Sequence, residues 1–305
     1  MAWRGARCKG DGARFVRLLA QMRPVPYRQG SVSIGGLMAR RKKIYEGGAK
    51  ILYEGPEPGT LIAYFKDDSA PTPEQANPAA VDGKGVLNNR LSEFFMSGLH
   101  GIGMGTHFIR RVNMREQLVQ MAEMIPLEIV VRNYAAGEMS TNLGIPEGTP
   151  LPGPIVEYYL KNPAIPHKPM VSEEHIMAFN WASQQDIDDI IRIALRVNDF
   201  LSGLMLAVGV RLADFRIEIG RVWEGDFMRL ILADEISPDT CRLWDLRIPG
   251  ERGGERGGDV RSVQMGEMPS PVDTTPVADV YTELARRLGV LPSNVTHQIK
   301  PSLIN

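Results

Sequence analysis

The chain has 305 residues, 43% of them apolar and 23% charged, with a formal net charge of −1. That length suits one large domain or two closely packed lobes, and the near-neutral balance gives no global field toward nucleic acid or an anionic membrane. Two cysteines, Cys8 and Cys241, make no disulfide framework and no metal cluster, and no apolar run approaches the roughly 18 residues of a membrane span.

Residues 1–37 hold seven lysines and arginines and one acid, Asp11, among scattered Gly and Pro. No apolar segment of signal-peptide type is present. We expect 1–37 to be a disordered extension, or sequence upstream of a start at Met38. From Arg40 the pattern changes. Lys42–Glu46, Gly47-Gly48 and Ala49–Tyr53 read as a hairpin whose glycines supply the positive φ of a primed turn. Leu61–Phe65 is a third strand. Such a hairpin, with Gly47 and Lys50, is one way to cover phosphates. Residues 67–84 contain too much proline for regular structure.

Val86–Leu99 reads as a helix with Leu87, Leu91, Phe94, Phe95 and Leu99 on its core side. Thr106–Arg111, Gln117–Met121 and Pro126–Asn133 read as strands. In the last, Glu128, Val130 and Arg132 share a face. Gly144–Pro154 is expected as a loop, Val156–Leu160 as a strand and Ser172–Phe179 as a helix. Ser183–Val208 is the longest helix, with a capping-box-like start at Ser183 and Asp186 and a wide apolar stripe.

The centre of the chain is Arg211–Gly220 and its return, Met228–Asp239. In the first strand Leu212, Asp214, Arg216 and Glu218 alternate with Ala213, Phe215, Ile217 and Ile219, so one face is apolar and the other carries acid, base, acid. A hairpin centred on Asp226 would set Glu218 directly across from Asp234. Facing carboxylates repel, unless a hard cation such as Mg2+ lies between them. The polar run Ser237–Asp245 is expected as a loop beyond the strand. Residues 248–274 are a low-complexity linker, 275–290 hold a closing helix, and 291–305 are a tail.

These elements predict an α+β fold with a small antiparallel β lobe, 38–125, over a larger α+β lobe, 126–247, and a cleft between them. Into that cleft go Lys50, Arg132, Asp214, Arg216, Glu218, Asp234, Asp239 and Arg242. Many bases, a pair of acids and no visible nucleophile suit phosphoryl transfer, where positioning and charge neutralisation do the chemistry.

Five ordered motifs sharpen this. They are Tyr45-Glu-Gly-Gly-Ala-Lys-Ile-Leu-Tyr53, Asp82-Gly-Lys-Gly-Val-Leu-Asn-Asn89, Pro126–Asn133 with Ala135-Ala-Gly137, Asp214-Phe-Arg-Ile-Glu218, and Asp234–Asp245. Together they resemble the SAICAR synthetase (phosphoribosylaminoimidazole-succinocarboxamide synthase) family, from about Arg40 to Asp245 plus the closing helix. The resemblance implies a two-lobed fold with an ATP cleft. It implies a cytoplasmic ligase of purine biosynthesis that uses ATP and Mg2+ to join L-aspartate to a ribonucleotide carboxylate through an acyl phosphate. No nucleic-acid or membrane partner is implied, and self-association stays open. Glu218 and Asp234 would hold Mg2+, and Lys50, Gly47 and Glu128 would lie on the ATP side. Arg132, Arg216 and Arg242 would hold the substrate's carboxylate and phosphate, Arg216 with Asp214 at the reacting centre. Asp214 and Asp239 would bind ribose or orient the arginines. The chain departs from the family pattern at Gly48, where a lysine is usual, and at Glu138, where a serine is usual. It departs again across 68–80 and after Asp245. A paralogue that activates another carboxylate, or a non-catalytic nucleotide-binding protein of the same fold, are the other readings these departures leave.

Overall fold

The computed structural model describes residues 41–68, 80–162, 164–165, 167–246, 264–265 and 277–291. The expected extension 1–37, most of 68–80 and of the linker, and the tail beyond Leu291 lie outside the described residues.

Two antiparallel sheets carry the fold. The first has the order β1-β2-β3-β5-β4, built from β1 (Lys43–Glu46), β2 (Lys50–Glu54), β3 (Thr60–Phe65), β4 (Phe108–Arg111) and β5 (Glu116–Gln120). The second runs β12-β11-β9-β6-β7-β8, with β10 also on β9. Its strands are β6 (Glu123–Tyr134), β7 (Pro150–Leu160), β8 (Met170–Val171), β9 (Val210–Glu224), β10 (Phe227–Ala233), β11 (Cys241–Asp245) and β12 (Gln264–Met265). The helices are α1 (Lys84–Gly101), α2 (Glu138–Leu143), α3 (Glu173–Ala178), α4 (Gln184–Ala207) and α5 (Val277–Arg287). The α+β class read from the sequence is the class observed. Among the described residues no helix is long and apolar enough to cross a membrane, which says nothing of strands.

The core lies between the second sheet and the helices. Phe215, Ile217 and Ile219 of β9 are buried, as are Ile129 and Val131 of β6 and Leu91, Phe95 and Leu99 of α1. Ile187, Ile190, Ala194, Val197 and Leu201 supply the α4 stripe. Each large side chain so buried stabilises the fold by roughly 1.5–3 kcal/mol. Ser183 caps α4, its hydroxyl accepting from the Asp186 N–H at 3.1 Å, and the Asp186 carboxylate also takes Arg221 at 3.1 Å. The helix is thereby tied to β9.

Four expectations are corrected. Neither Gly47 nor Gly48 has positive φ. The β1–β2 connection is therefore not a primed turn, and it sits one residue later than expected: Glu46 pairs with Ile51, and the Gly47 N–H donates to the Lys50 carbonyl at 2.9 Å around Gly48 and Ala49. The β9–β10 turn is shorter than expected. Glu224 pairs with Phe227, with Gly225 (φ 64°) and Asp226 between them, so Glu218 faces Ala233 rather than Asp234. Ser237–Asp245 is not all loop, because after a turn at Pro238–Thr240 the segment re-enters the sheet as β11 beside β9. Part of the expected Gly144–Pro154 loop is likewise strand, since β7 starts at Pro150.

Candidate active site

The polar face of the second sheet is built by register. Arg242 of β11 lies across from Asp214 of β9, and Asp214 lies across from Arg132 of β6. The Asp214 carboxylate takes Arg242 Nε at 3.0 Å and Arg132 Nη1 at 3.3 Å. One acid thus spaces two guanidinium groups whose charges would otherwise repel. Arg242 also meets Glu147 at 3.6 Å and crosses tightly over Gly137. A Cβ on Gly137 would stand 2.7 Å from Arg242 Nη2, at a φ of 58° that favours glycine. Arg216 sits on the same face, across from Val130. It is exposed, and no ion pair among the described residues engages it.

One step further along, Glu128 lies directly across from Glu218. Like charges so placed cost stability. Two lysines from the connection between β7 and β8 offset it: Lys168 meets Glu128 at 2.5 Å, and Lys161 meets Glu218. Neither lysine stood out in the sequence.

Lys50 enters from the first sheet. Its ammonium pairs with both Asp234 and Glu235, just past the end of β10. Glu218 and Asp239 also act on its charge. Burial holds Lys50 down at about 7, against the pull of Glu218, and burial pushes the Asp234 carboxyl up to about 7. Burial makes each costly to charge alone, and the contact between them favours the charged form of both. Asp234 has a φ of 64°, rare for a residue other than glycine. Strand alternation therefore does not decide where its carboxylate points. The Gly47 carbonyl accepts from Lys66 Nζ at 3.4 Å, which ties the β1–β2 connection to the residue after β3.

The structure gives Asp239 a denser set of partners than the sequence suggested. Its carboxylate takes Asn88 Nδ2 at 2.7 Å, Lys84 Nζ at 3.0 Å and the Tyr281 hydroxyl at 2.5 Å. It ties α1 and α5 to the Pro238–Thr240 turn that leads into β11. Arg132 has two partners of its own, Glu157 and Tyr159, both on β7. The alternation of Glu157 and Tyr159 in Val156–Leu160 was the available signal for these.

Among the described residues, no three His, Cys, Asp or Glu side chains form a metal cage on their own. The donor set nonetheless suits a hard cation that brings phosphate oxygens with it. Such a cation needs only one or two carboxylates, and Asp234 and Glu235 already close on a positive charge beside Glu218.

A lysine under a hairpin, carboxylates grouped around it and a row of arginines beside them define a protein that handles an anionic, phosphate-bearing substrate. The SAICAR synthetase family model matches residues 43–255. A phosphoribosylaminoimidazole-succinocarboxamide synthase of Dinoroseobacter shibae is 62% identical over 268 residues, 88% of this chain and 100% of that protein. The same-named protein of Jannaschia is 60% identical over the same shares. The solved synthase of Ehrlichia chaffeensis is 39% identical with a TM-score of 0.73, covering 82% of this chain and 100% of its own. A SAICAR synthetase solved in complex with ADP is 37% identical with a TM-score of 0.69, covering 80% of this chain and 96% of its own. The chain belongs to the SAICAR synthetase family.

Proposed function

We propose that this chain is the ligase that joins L-aspartate to the carboxylate of carboxyaminoimidazole ribonucleotide, at the expense of ATP, in purine biosynthesis. The observation that carries the reading is Lys50 seated among Asp234, Glu235 and Glu218, next to the Arg242–Asp214–Arg132 row. A free carboxylate is a poor acyl donor. Transfer of the terminal phosphoryl group of ATP to one of its oxygens releases ADP and gives an acyl phosphate. The aspartate amine then attacks the acyl carbon, loses a proton and expels inorganic phosphate. Bound Mg2+ would supply charge neutralisation on the phosphates.

Glu218 and Asp234 would hold Mg2+, with Glu235 beside them. Lys50, leaving its acids when the cation enters, would meet the ATP phosphates under Gly47, and Glu128 would lie on the same side. Arg132 and Arg242 would grip the nucleotide's anionic groups, since guanidinium forks match such oxygens. Arg216, the open cation of the row, would meet the carboxylate being activated. Asp214 would orient the two arginines it already pairs with, and Asp239 would act by holding α1 and α5. Residues 38–125 would cover ATP, and 126–247 would carry the metal and substrate groups. A cytoplasmic setting goes with that pathway. Relatives at 60% identity or more that bear the synthase's name favour this reading over a paralogue or a non-catalytic relative.

The test is ADP release by the purified chain. We expect it to require Mg2+, the ribonucleotide and L-aspartate together, to disappear in Glu218→Ala, and to be matched by rescue of an auxotroph lacking this step. Release only with other carboxylic acids would transfer the chain to a different substrate. No nucleotide binding at all would end the enzymatic reading.

A further inference from the structure

Arg132 is held unevenly. Its inner nitrogen, Nε, donates to Glu157 Oε2 at 2.6 Å, a short charge-assisted bond. Its two terminal nitrogens have only long contacts, Nη1 to Asp214 at 3.3 Å and Nη2 to the Tyr159 hydroxyl at 3.4 Å. Contacts of that length are well past the usual optimum of about 2.9 Å. Of five N–H groups three are engaged, so one on each terminal nitrogen is left over among the described residues. The Tyr159 hydroxyl donates to the same Glu157 oxygen at 3.0 Å. Glu157 sits across from Val130 on the face that carries Arg132, and both are nearly buried. Burial raises Tyr159 above its usual range, so it remains a donor to Glu157.

We propose that Glu157, braced by Tyr159, is the positioning residue for substrate recognition: it clamps Arg132 by its inner edge and presents the loosely held terminal nitrogens as a fork for an oxyanion of the ribonucleotide. This rests on Arg132 being a substrate residue in the proposed reaction. An arginine whose outer N–H groups were all taken by short bonds would have no fork to offer an anion. Here the strong bond is on the inner edge, and the weak ones are those an incoming anion would replace. An oxyanion bound by the fork would release Asp214 to Arg242 alone, keeping the second arginine in place.

The test uses Glu157→Gln, which keeps volume and an acceptor but removes the charge, with Glu157→Asp and Tyr159→Phe beside it. Michaelis constants for ATP, L-aspartate and the ribonucleotide are measured with kcat and the melting temperature. We expect E157Q to raise the ribonucleotide KM by about 10-fold or more, with kcat within about 3-fold and the ATP KM unmoved. E157D should recover part of that loss, and Y159F should show a smaller shift in the same constant. An unchanged ribonucleotide KM in E157Q overturns the proposal, as does a parallel rise in all three constants with a lowered melting temperature. If E157Q does not fold, Y159F decides on the same constant. Arg132→Lys separates the two layers: if it alone raises the ribonucleotide KM, Glu157 has no positioning role, and if it does not, Arg132 is no substrate residue and both readings fall.

Discussion

Glu218 lies across from Ala233, one residue short of Asp234, and Asp234 leaves the strand with a φ of 64°. In a continuing strand that offset would send Asp234 to the other face. The left-handed backbone breaks the alternation and leaves the carboxylate against Lys50. Asn tolerates this conformation and β-branched residues do not. If Asp234 is a ligand of the proposed cation, Asp234→Asn should lower kcat/KM on the order of 10²-fold with a near-normal melting temperature. Asp234→Val should add a stability loss of about 1–2 kcal/mol. Steady-state kinetics and thermal melts of the two variants check this, and equal melting temperatures would remove the backbone argument.

Asp214 joins Arg132 and Arg242. Asp214→Asn keeps the shape but leaves the buried Arg132 guanidinium and the partly buried Arg242 guanidinium facing each other across a neutral amide. Breaking a buried ion pair on one side costs about 3–5 kcal/mol. The expected result is a lower denaturation midpoint together with a raised ribonucleotide KM. A variant as stable as the parent would mean that the two arginines are neutralised elsewhere.

Gly48 stands in open space: a Cβ there would meet no atom within 4 Å, and its φ is not positive. Glycine is therefore not demanded by the backbone, and Gly48→Lys should fold normally. If the hairpin covers ATP, the added ammonium gains a phosphate partner. A lower ATP KM with an unchanged aspartate KM is the expected result, and titration calorimetry with ADP checks it without turnover.

Helix α5 is docked by charge as well as by apolar packing. Arg287 pairs with the buried Asp245 and with Glu283 at 2.7 Å, and Tyr281 donates to Asp239 at 2.5 Å. Tyr281→Phe leaves that carboxylate oxygen short of a donor and should cost about 1–3 kcal/mol in a denaturant melt. The hydrogen bond from Arg286, then that from Arg287, holds Glu283 down at about 2. A depressed carboxylate stabilises the fold above its ordinary value of 4.5, and that contribution disappears as pH falls from 4.5 through about 2. The melting-temperature gap between the parent and Glu283→Gln should be constant above that window and close within it.

Much of this site was legible because strand alternation needs only short-range information. Asp214, Arg216 and Glu218 on one face, and Phe215, Ile217 and Ile219 on the other, follow from a period of two. The register did not follow, because one residue of turn length, Gly225-Asp226 rather than a turn centred on Asp226, decides whether Asp234 or Ala233 opposes Glu218. The β11 strand was hidden by its polar content: Thr240, Cys241 and Arg242 read as loop, yet pairing with β9 buries Leu243 and Trp244. The partners of the site were hidden by distance along the chain. Lys84 and Asn88 reach Asp239, and Lys161 reaches Glu218, across separations no local pattern encodes.

Glu138 is the residue most at odds with the proposed reaction. It is exposed at the start of α2, immediately after Gly137, which lies against Arg242. A carboxylate there opposes any phosphate that Arg242 attracts, by roughly 1 kcal/mol in a solvated setting. The first-turn N–H groups of α2 would otherwise favour an anion. Glu138→Ser, which restores the residue usual at this place in the family, should therefore lower the ribonucleotide KM by roughly fivefold and leave the ATP KM alone. The gap should shrink in high salt, because screening weakens an exposed charge. A ribonucleotide KM that rises in E138S would mean that this carboxylate helps bind the substrate, and that the phosphate lies elsewhere along the Arg242–Asp214–Arg132 row.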